Sequence, residues 1–167
     1  MQPAPFSHEP NRFTSFLAEK LRSHPKRVVF TEGEDLRVLR VAQHLVELEA
    51  VIPILLGNRE KIRALAAENG VSLQFVNILD PTQSRELPRF AAMFEKSSRA
   101  RGVDIGNSAE IVVRPQYFGA MMVQYGMVDA LIGGNQVLPA TLFRALLQSI
   151  KPLAHVPRVF SLSLIHI

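Results

Sequence analysis

Short apolar runs alternate along this chain with stretches in which apolar residues recur every three or four positions. Asn11 to Arg22 is of the second kind. Phe13, Phe16, Leu17 and Leu21 fall on one helical face, and His24-Pro25 ends the helix because proline disfavours helical backbone in the residue before it. The period then changes. Arg27 to Thr31 is a compact β-branched and aromatic run, as expected of a buried strand. Asp35 to Glu49 returns to helical spacing, with Leu36, Leu39, Ala42 (or Gln43) and Val46 inward. Ile52 to Leu56 is a second strand closed by Gly57-Asn58. Arg59 to Glu68 is a helix stopped by Asn69-Gly70, and Leu73 to Ile78 is a third strand before the turn at Asp80-Pro81. Strands and helices in alternation, joined by short loops, predict a mostly parallel sheet flanked by helices, an α/β/α sandwich.

Beyond Ser84 the pattern is more helical. One helix is expected over Ser84 to Arg101, a shorter one over Ser108 to Val113, broken by Arg114-Pro115, and a third over Tyr117 to Tyr125. That third helix carries Met121-Met122, read as core. Val128 to Ile132 is strand-like, Gly133-Gly134 follows, Ala140 to Ile150 is helical, and Val156 to Phe160 reads as the start of another strand.

Composition narrows this picture. The 167 residues suit one ordinary domain with a sizeable core, and 47% hydrophobic with 20% charged residues is a globular balance. The net charge of +4 is mild and unclustered. It suits small anionic ligands, and the basic stripe with interleaved aromatics that marks nucleic-acid binding is missing. The absence of cysteine excludes a disulfide framework, a cysteine nucleophile and a cysteine zinc site, and is compatible with the cytoplasm. The first thirteen residues lack the basic and apolar regions of a signal peptide, and no apolar run approaches a membrane span.

Three places could carry chemistry. In VVFTEGEDLRVLR the first strand ends in Glu32, Glu34 and Asp35, with Arg37 close behind. Ligand crevices in parallel α/β sheets lie at the carboxyl ends of the strands, so these charges line a cleft, or they cap the helix and pair locally. All three acids come from one short loop with no histidine nearby, which argues against a metal. In VDALIGGNQVLPATLFR a strand runs through Gly133 and Gly134 into a helix bearing Arg144. Glycines let backbone N–H groups approach an anion, and a guanidinium suits phosphate or carboxylate. The loop is neither a Walker P-loop nor GxGxxG, which argues against a Rossmann-type dinucleotide-dependent dehydrogenase. In FEKSSRARG, Lys96, Arg99 and Arg101 form a basic helix end, well placed for the helix dipole or for reading a phosphate. His8, His24, His44 and His155 are scattered and take no catalytic role.

Several of these stretches together resemble the phosphate acetyltransferase/phosphate butyryltransferase family: VVFTEGEDLRVLRVAQ, IPILLGNREKI, NSAEIV and YFGAMMVQYGMVDALIGG, in family order from about Arg27 to Phe160. The resemblance implies two α/β domains around a cleft, and an acyl transfer, acetyl-CoA + phosphate = acetyl phosphate + CoA. Propionyl or butyryl is the alternative acyl group. It implies no metal or redox cofactor, with coenzyme A a substrate, and a homodimer at full length. In the implied mechanism an aspartate deprotonates the coenzyme A thiol, the thiolate attacks the acyl phosphate carbonyl, and arginines hold the departing phosphate. Counting from Gly134, the family's helix arginine falls on Arg144 without a gap. The family usually has Asp-Thr-Leu-Arg-Pro where this chain has Ala140-Thr141-Leu142-Phe143-Arg144-Ala145, so the arginine is kept while the preceding Asp and following Pro are not, and Thr141 is carried with it as a substrate-binding candidate. A second family arginine reaches Arg99 after a one-residue slip from Ser98. Thr31 stands where the family has proline.

The family is about twice as long, with its catalytic serine, aspartate and a further arginine in the second half. This resemblance therefore implies no catalytic residue within the chain, which is expected to be inactive by itself and to leave apolar faces uncovered. Residues 1–26 are expected to form a tail and a helix, and 27–161 an incomplete N-terminal part of the acyltransferase domain. Leu162 to Ile167 can be encoded by the end of a library-preparation transposon adapter and are expected to be a sequencing scar. No fused enzyme is expected ahead of the first strand, which favours a standalone enzyme. The alternative is a non-catalytic domain that senses acyl-CoA or a phosphate ligand.

Overall fold

The structure, a computed structural model, describes residues 12–151 and Val156. The expected tail over 1–11, the strand over Val156 to Phe160 and the six terminal residues lie outside the described residues, Val156 excepted. The described chain runs α1 (Arg12–Ser23), β1 (Lys26–Phe30), α2 (Leu36–Glu47), β2 (Val51–Leu56), α3 (Arg59–Glu68), β3 (Asn77–Leu79), a 3-10 turn (Pro81–Gln83), α4 (Leu87–Arg99), α5 (Ser108–Val112), α6 (Pro115–Gln124), β4 (Ala130–Ile132) and α7 (Pro139–Ser149). Local chemistry sets the ends of several helices. Asp35, Asn58 and Asn107 each accept a backbone N–H at the start of α2, α3 and α5, and Pro115 opens α6 where no N–H is needed.

The four described strands form one parallel sheet in the order β3-β2-β1-β4. Alternate side chains go to opposite faces. Val28, Phe30 and Leu55 join Leu39 and Ala42 of α2 and Ile62 and Ala66 of α3 in one core. On the other face Val29 and Leu56 join Phe90 and Phe94 of α4, Val112 of α5, Phe118, Met121 and Met122 of α6, and Ala145 of α7. The expected α/β/α sandwich is therefore what the chain forms, and Met121-Met122 is core.

Two expectations are corrected. The third strand begins at Asn77 rather than Leu73. Continued pairing would set Val76 beside Pro53 of β2, and proline has no N–H to give a ladder. The chain instead turns there, with Phe75 at φ 61° and 76% exposed. The long helix starts at Leu87 rather than Ser84, because Asp80, Pro81 and Ser84 first build a separate 3-10 turn. In α1, Phe16 and Leu17 stay exposed, and the helix is tied to the body by Arg22 Nε donating to the Leu48 carbonyl at 2.9 Å. Ile132 of β4, Leu138 before α7, and Phe143 and Leu147 of α7 are exposed.

Candidate functional site

The strand order fixes where a crevice opens. The chain steps from β1 to β2 to β3 in one direction, then returns to place β4 on the other side of β1. The connections leaving β1 and β4 part there: α2 covers one face and α7 the other. Such a switch point, at the carboxyl ends of the strands, is where open α/β sheets hold ligands. The loop after β1 carries Glu32, Glu34 and Asp35, and the loop after β4 carries Gly133 and Gly134.

Glu32 spans this crevice. Its carboxylate, in a residue 8% exposed, accepts from three consecutive backbone N–H groups: Asn135 at 2.7 Å, Gln136 at 2.7 Å and Val137 at 3.1 Å. Asp35, 6% exposed, caps α2 through the Arg37 N–H at 2.8 Å. It also accepts from Arg37 Nη2 at 2.7 Å, Asn135 Nδ2 at 2.6 Å and Gln136 Nε2 at 2.9 Å. Glu34 turns the other way, accepting from the Asn58 N–H at 2.9 Å and pairing with Lys61 at 3.6 Å. The three acids thus serve three elements. Glu32 holds the β4–α7 loop, Glu34 the β2–α3 turn, and Asp35 joins α2 to the loop. The N–H groups expected to greet an external anion after the glycines are already taken by Glu32.

The Arg37 hydrogen bonds hold the Asp35 carboxyl below its ordinary value of 3.8, against the opposing effect of its burial, and Asp35 in turn raises Arg37. A depressed folded value means that the stabilisation is complete above the ordinary value and lost as pH falls through the folded one. In acid titrations of unfolding, wild type should therefore lose its advantage over Asp35→Asn only below about pH 4. An advantage that falls away near neutrality would contradict this.

Gly133 lies against β1. A Cβ there would stand 2.2 Å from Thr31 Oγ1 and 3.5 Å from Leu142 Cδ1. Thr31 is buried, its hydroxyl has no hydrogen-bond partner among the described residues, and its N–H donates to the Ile132 carbonyl at 3.0 Å. Gly133→Ala should cost ~1–3 kcal/mol by overpacking, and clearly less in a Thr31→Ala background. Equal costs in the two backgrounds, read by denaturant unfolding, would refute the contact. Gly134 takes φ 96°, and a Cβ there would lie 3.7 Å from Leu142 Cδ2. Thr141 lies exposed in the first turn of α7. Arg144, also exposed, has no hydrogen-bond or ion-pair partner among the described residues.

With this geometry in view, the phosphate acetyl/butaryl transferase family matches residues 12–167. The chain belongs to that family. It is 30% identical over 135 residues to the phosphate acetyltransferase of Thermoanaerobacterium thermosaccharolyticum, covering 81% of this chain and 40% of that protein. With the Corynebacterium glutamicum phosphate acetyltransferase it shares 29% over 152 residues, 91% and 46% of the two chains. A phosphotransacetylase from Streptococcus pyogenes superposes with a TM-score of 0.81 at 26% identity, over 90% of this chain and 46% of the other. The chain therefore spans less than half the length of these relatives.

Within this member of the phosphate acetyl/butaryl transferase family, the basic end of α4 lies away from the crevice. Arg101 donates to the Leu147 and Gln148 carbonyls, at the last turn of α7. That turn is opposite the Gly133 loop across an 11-residue helix, about 16 Å long. Arg99, two residues before Arg101, pairs with Glu95 on the exposed side of α4. The structure brings Glu32, Asp35, Arg37, Gly133 and Gly134 together, with Thr141 and Arg144 on the helix that follows, and leaves Arg99 with its helical neighbour. Sequence reasoning missed Asn135 and Gln136 as the partners of the acids. The available signal was a pair of amide side chains directly after two glycines. No helix among the described residues is long and apolar enough to cross a membrane.

Proposed function

We propose that this chain supplies the phosphate-side crevice of an enzyme that transfers an acetyl group between coenzyme A and phosphate. The observation that carries the reading is Arg144. It is a guanidinium with no partner among the described residues, on the helix leaving the sheet's switch point, in a chain that belongs to an acyl-phosphate-forming family. A guanidinium offers paired donors to phosphate oxygens, and Thr141, one helical turn before it, adds a hydroxyl. Because Glu32 occupies the N–H groups of the loop, the phosphate is received by side chains of α7. Coenzyme A enters as a substrate. Its thiolate attacks the acetyl carbonyl, the carbon–sulfur bond forms, and the carbonyl–phosphate bond breaks to release phosphate. The groups that remove the thiol proton are expected in the part of the family's length beyond this chain. The named relatives favour acetyl over propionyl or butyryl.

The test is phosphate-dependent loss of the acetyl-CoA thioester in a protein of full family length that carries this chain. Turnover is expected there, and the chain alone should lack it, since a missing positioned base costs ~10²–10⁴ in rate. A full-length protein that forms no acetyl phosphate would overturn the reading.

A further inference from the structure

α7 is the helix that carries Arg144, yet its N-terminus has no side-chain cap. Leu138 stands in the capping position and makes no such hydrogen bond. α2, α3 and α5 each have a capping Asp or Asn there, whereas α4, α6 and α7 lack one and carry a proline in the first turn. The far end of α7 is well anchored, since Ala145 and Ser149 are buried, Tyr117 Oη donates to Gln148 Oε1 at 2.7 Å, and Arg101 holds the last carbonyls. What fixes the near end lies more than a hundred residues earlier. The Glu32 carboxylate receives the Asn135, Gln136 and Val137 N–H groups, at sequence separations of 103, 104 and 105. It brings negative charge to the loop that enters the helix N-terminus, where the helix dipole favours it. Asp35 reinforces it through the Asn135 and Gln136 side chains.

We infer that Glu32 is a positioning residue, a resident anion that holds the loop entering α7 and thereby sets where Arg144 presents its guanidinium. The inference rests on the functional reading for what Arg144 binds, and on the geometry alone for what Glu32 holds. Two consequences distinguish it from a general contribution to stability. The loop and the anion affinity should fail together when Glu32 loses its charge, and a small free carboxylate should take its place when the side chain is removed.

The experiment compares wild type, Glu32→Gln, Glu32→Ala and Asp129→Asn. Asp129 accepts the Arg27 N–H at 2.8 Å at the opposite end of the β1–β4 pair, so its variant loosens the sheet away from the loop. Amide hydrogen exchange is read at Asn135, Gln136 and Val137, the Arg144 Nε–H resonance is followed, and acetyl phosphate is titrated by calorimetry. In Glu32→Gln, which keeps the side chain's shape, those three amides should exchange at least roughly tenfold faster. The Arg144 resonance should move, and acetyl phosphate affinity should drop by about tenfold. Sodium formate should slow the exchange in Glu32→Ala and leave wild type unchanged. Asp129→Asn should leave both the amides and the affinity as in wild type. The inference is overturned if Glu32→Gln leaves the three amides and Arg144 as they were, or if Asp129→Asn weakens binding as much. Should Glu32→Ala fail to fold, Glu32→Gln decides alone. If wild type binds no acetyl phosphate, the functional reading falls, while the amides and the Arg144 resonance still judge Glu32.

Discussion

Replacing Arg144 with alanine should lower phosphate-dependent thioester turnover of a family-length protein by ~10²–10³ while leaving its unfolding midpoint unchanged. The size follows from removing one preorganised donor at a charge that develops in the transition state. The unchanged stability follows from exposure: Arg144 has no partner among the described residues, and surface substitutions of that kind stay within about 0.5 kcal/mol. Arg144→Lys should recover little, because an ammonium cannot offer the planar fork of a guanidinium. The assay should vary phosphate at saturating acetyl-CoA. A loss that appears only as a higher KM, with kcat intact, would make Arg144 a binding residue alone. No loss at all would remove it from the site.

Phe118→Ala should destabilise the chain by ~3–5 kcal/mol, a large part of the ~5–15 kcal/mol that holds a domain of this kind together. Phe118 is fully buried in the middle of α6, and its ring meets Phe90 of α4 edge-to-face at 5.1 Å. Phe94 and Tyr117 make a second edge contact at 5.7 Å across the same two helices. Deleting the Phe118 ring opens a cavity between sheet and helices and removes an aromatic pair that adds to simple burial. Phe75→Ala is the control. That ring is 76% exposed in a loop, so its loss should change stability by less than about 0.5 kcal/mol. Equal effects at the two positions would mean that the core is not where the helical face of α6 places it.

Much of this fold could be read from the order of residues because its determinants are local. Asn58 before Arg59, and Asn69-Gly70 after Glu68, bound α3 where expected. The switch from β-branched runs to helical spacing marked β1, α2 and β2 within one or two residues. The third strand failed for a reason the local pattern does not contain. Leu73 to Ile78 is apolar enough for a strand, but whether it pairs depends on Pro53, more than twenty residues away. The candidate site divides in the same way. Asp35 as the cap of α2 was legible, since a carboxylate directly before an amphipathic run has one obvious use. Local pairing in the acidic loop was legible too, and Arg37 is the partner of Asp35. The role of Glu32 depends on β1 and β4 being neighbours, which two separate short runs do not declare. Once that adjacency is known, a buried carboxylate at one strand end and a row of N–H groups at the next explain each other.

The most direct test of the crevice at the β1–β4 switch point is an amide chemical-shift map of this chain titrated with acetyl phosphate. Perturbed residues should gather from Gly133 to Arg144 and in the acidic loop from Glu32 to Arg37, and Arg144→Ala should abolish the change. Perturbation centred on Lys96 to Gly102, at the opposite end of α7, would contradict it and move the phosphate site to the basic end of α4.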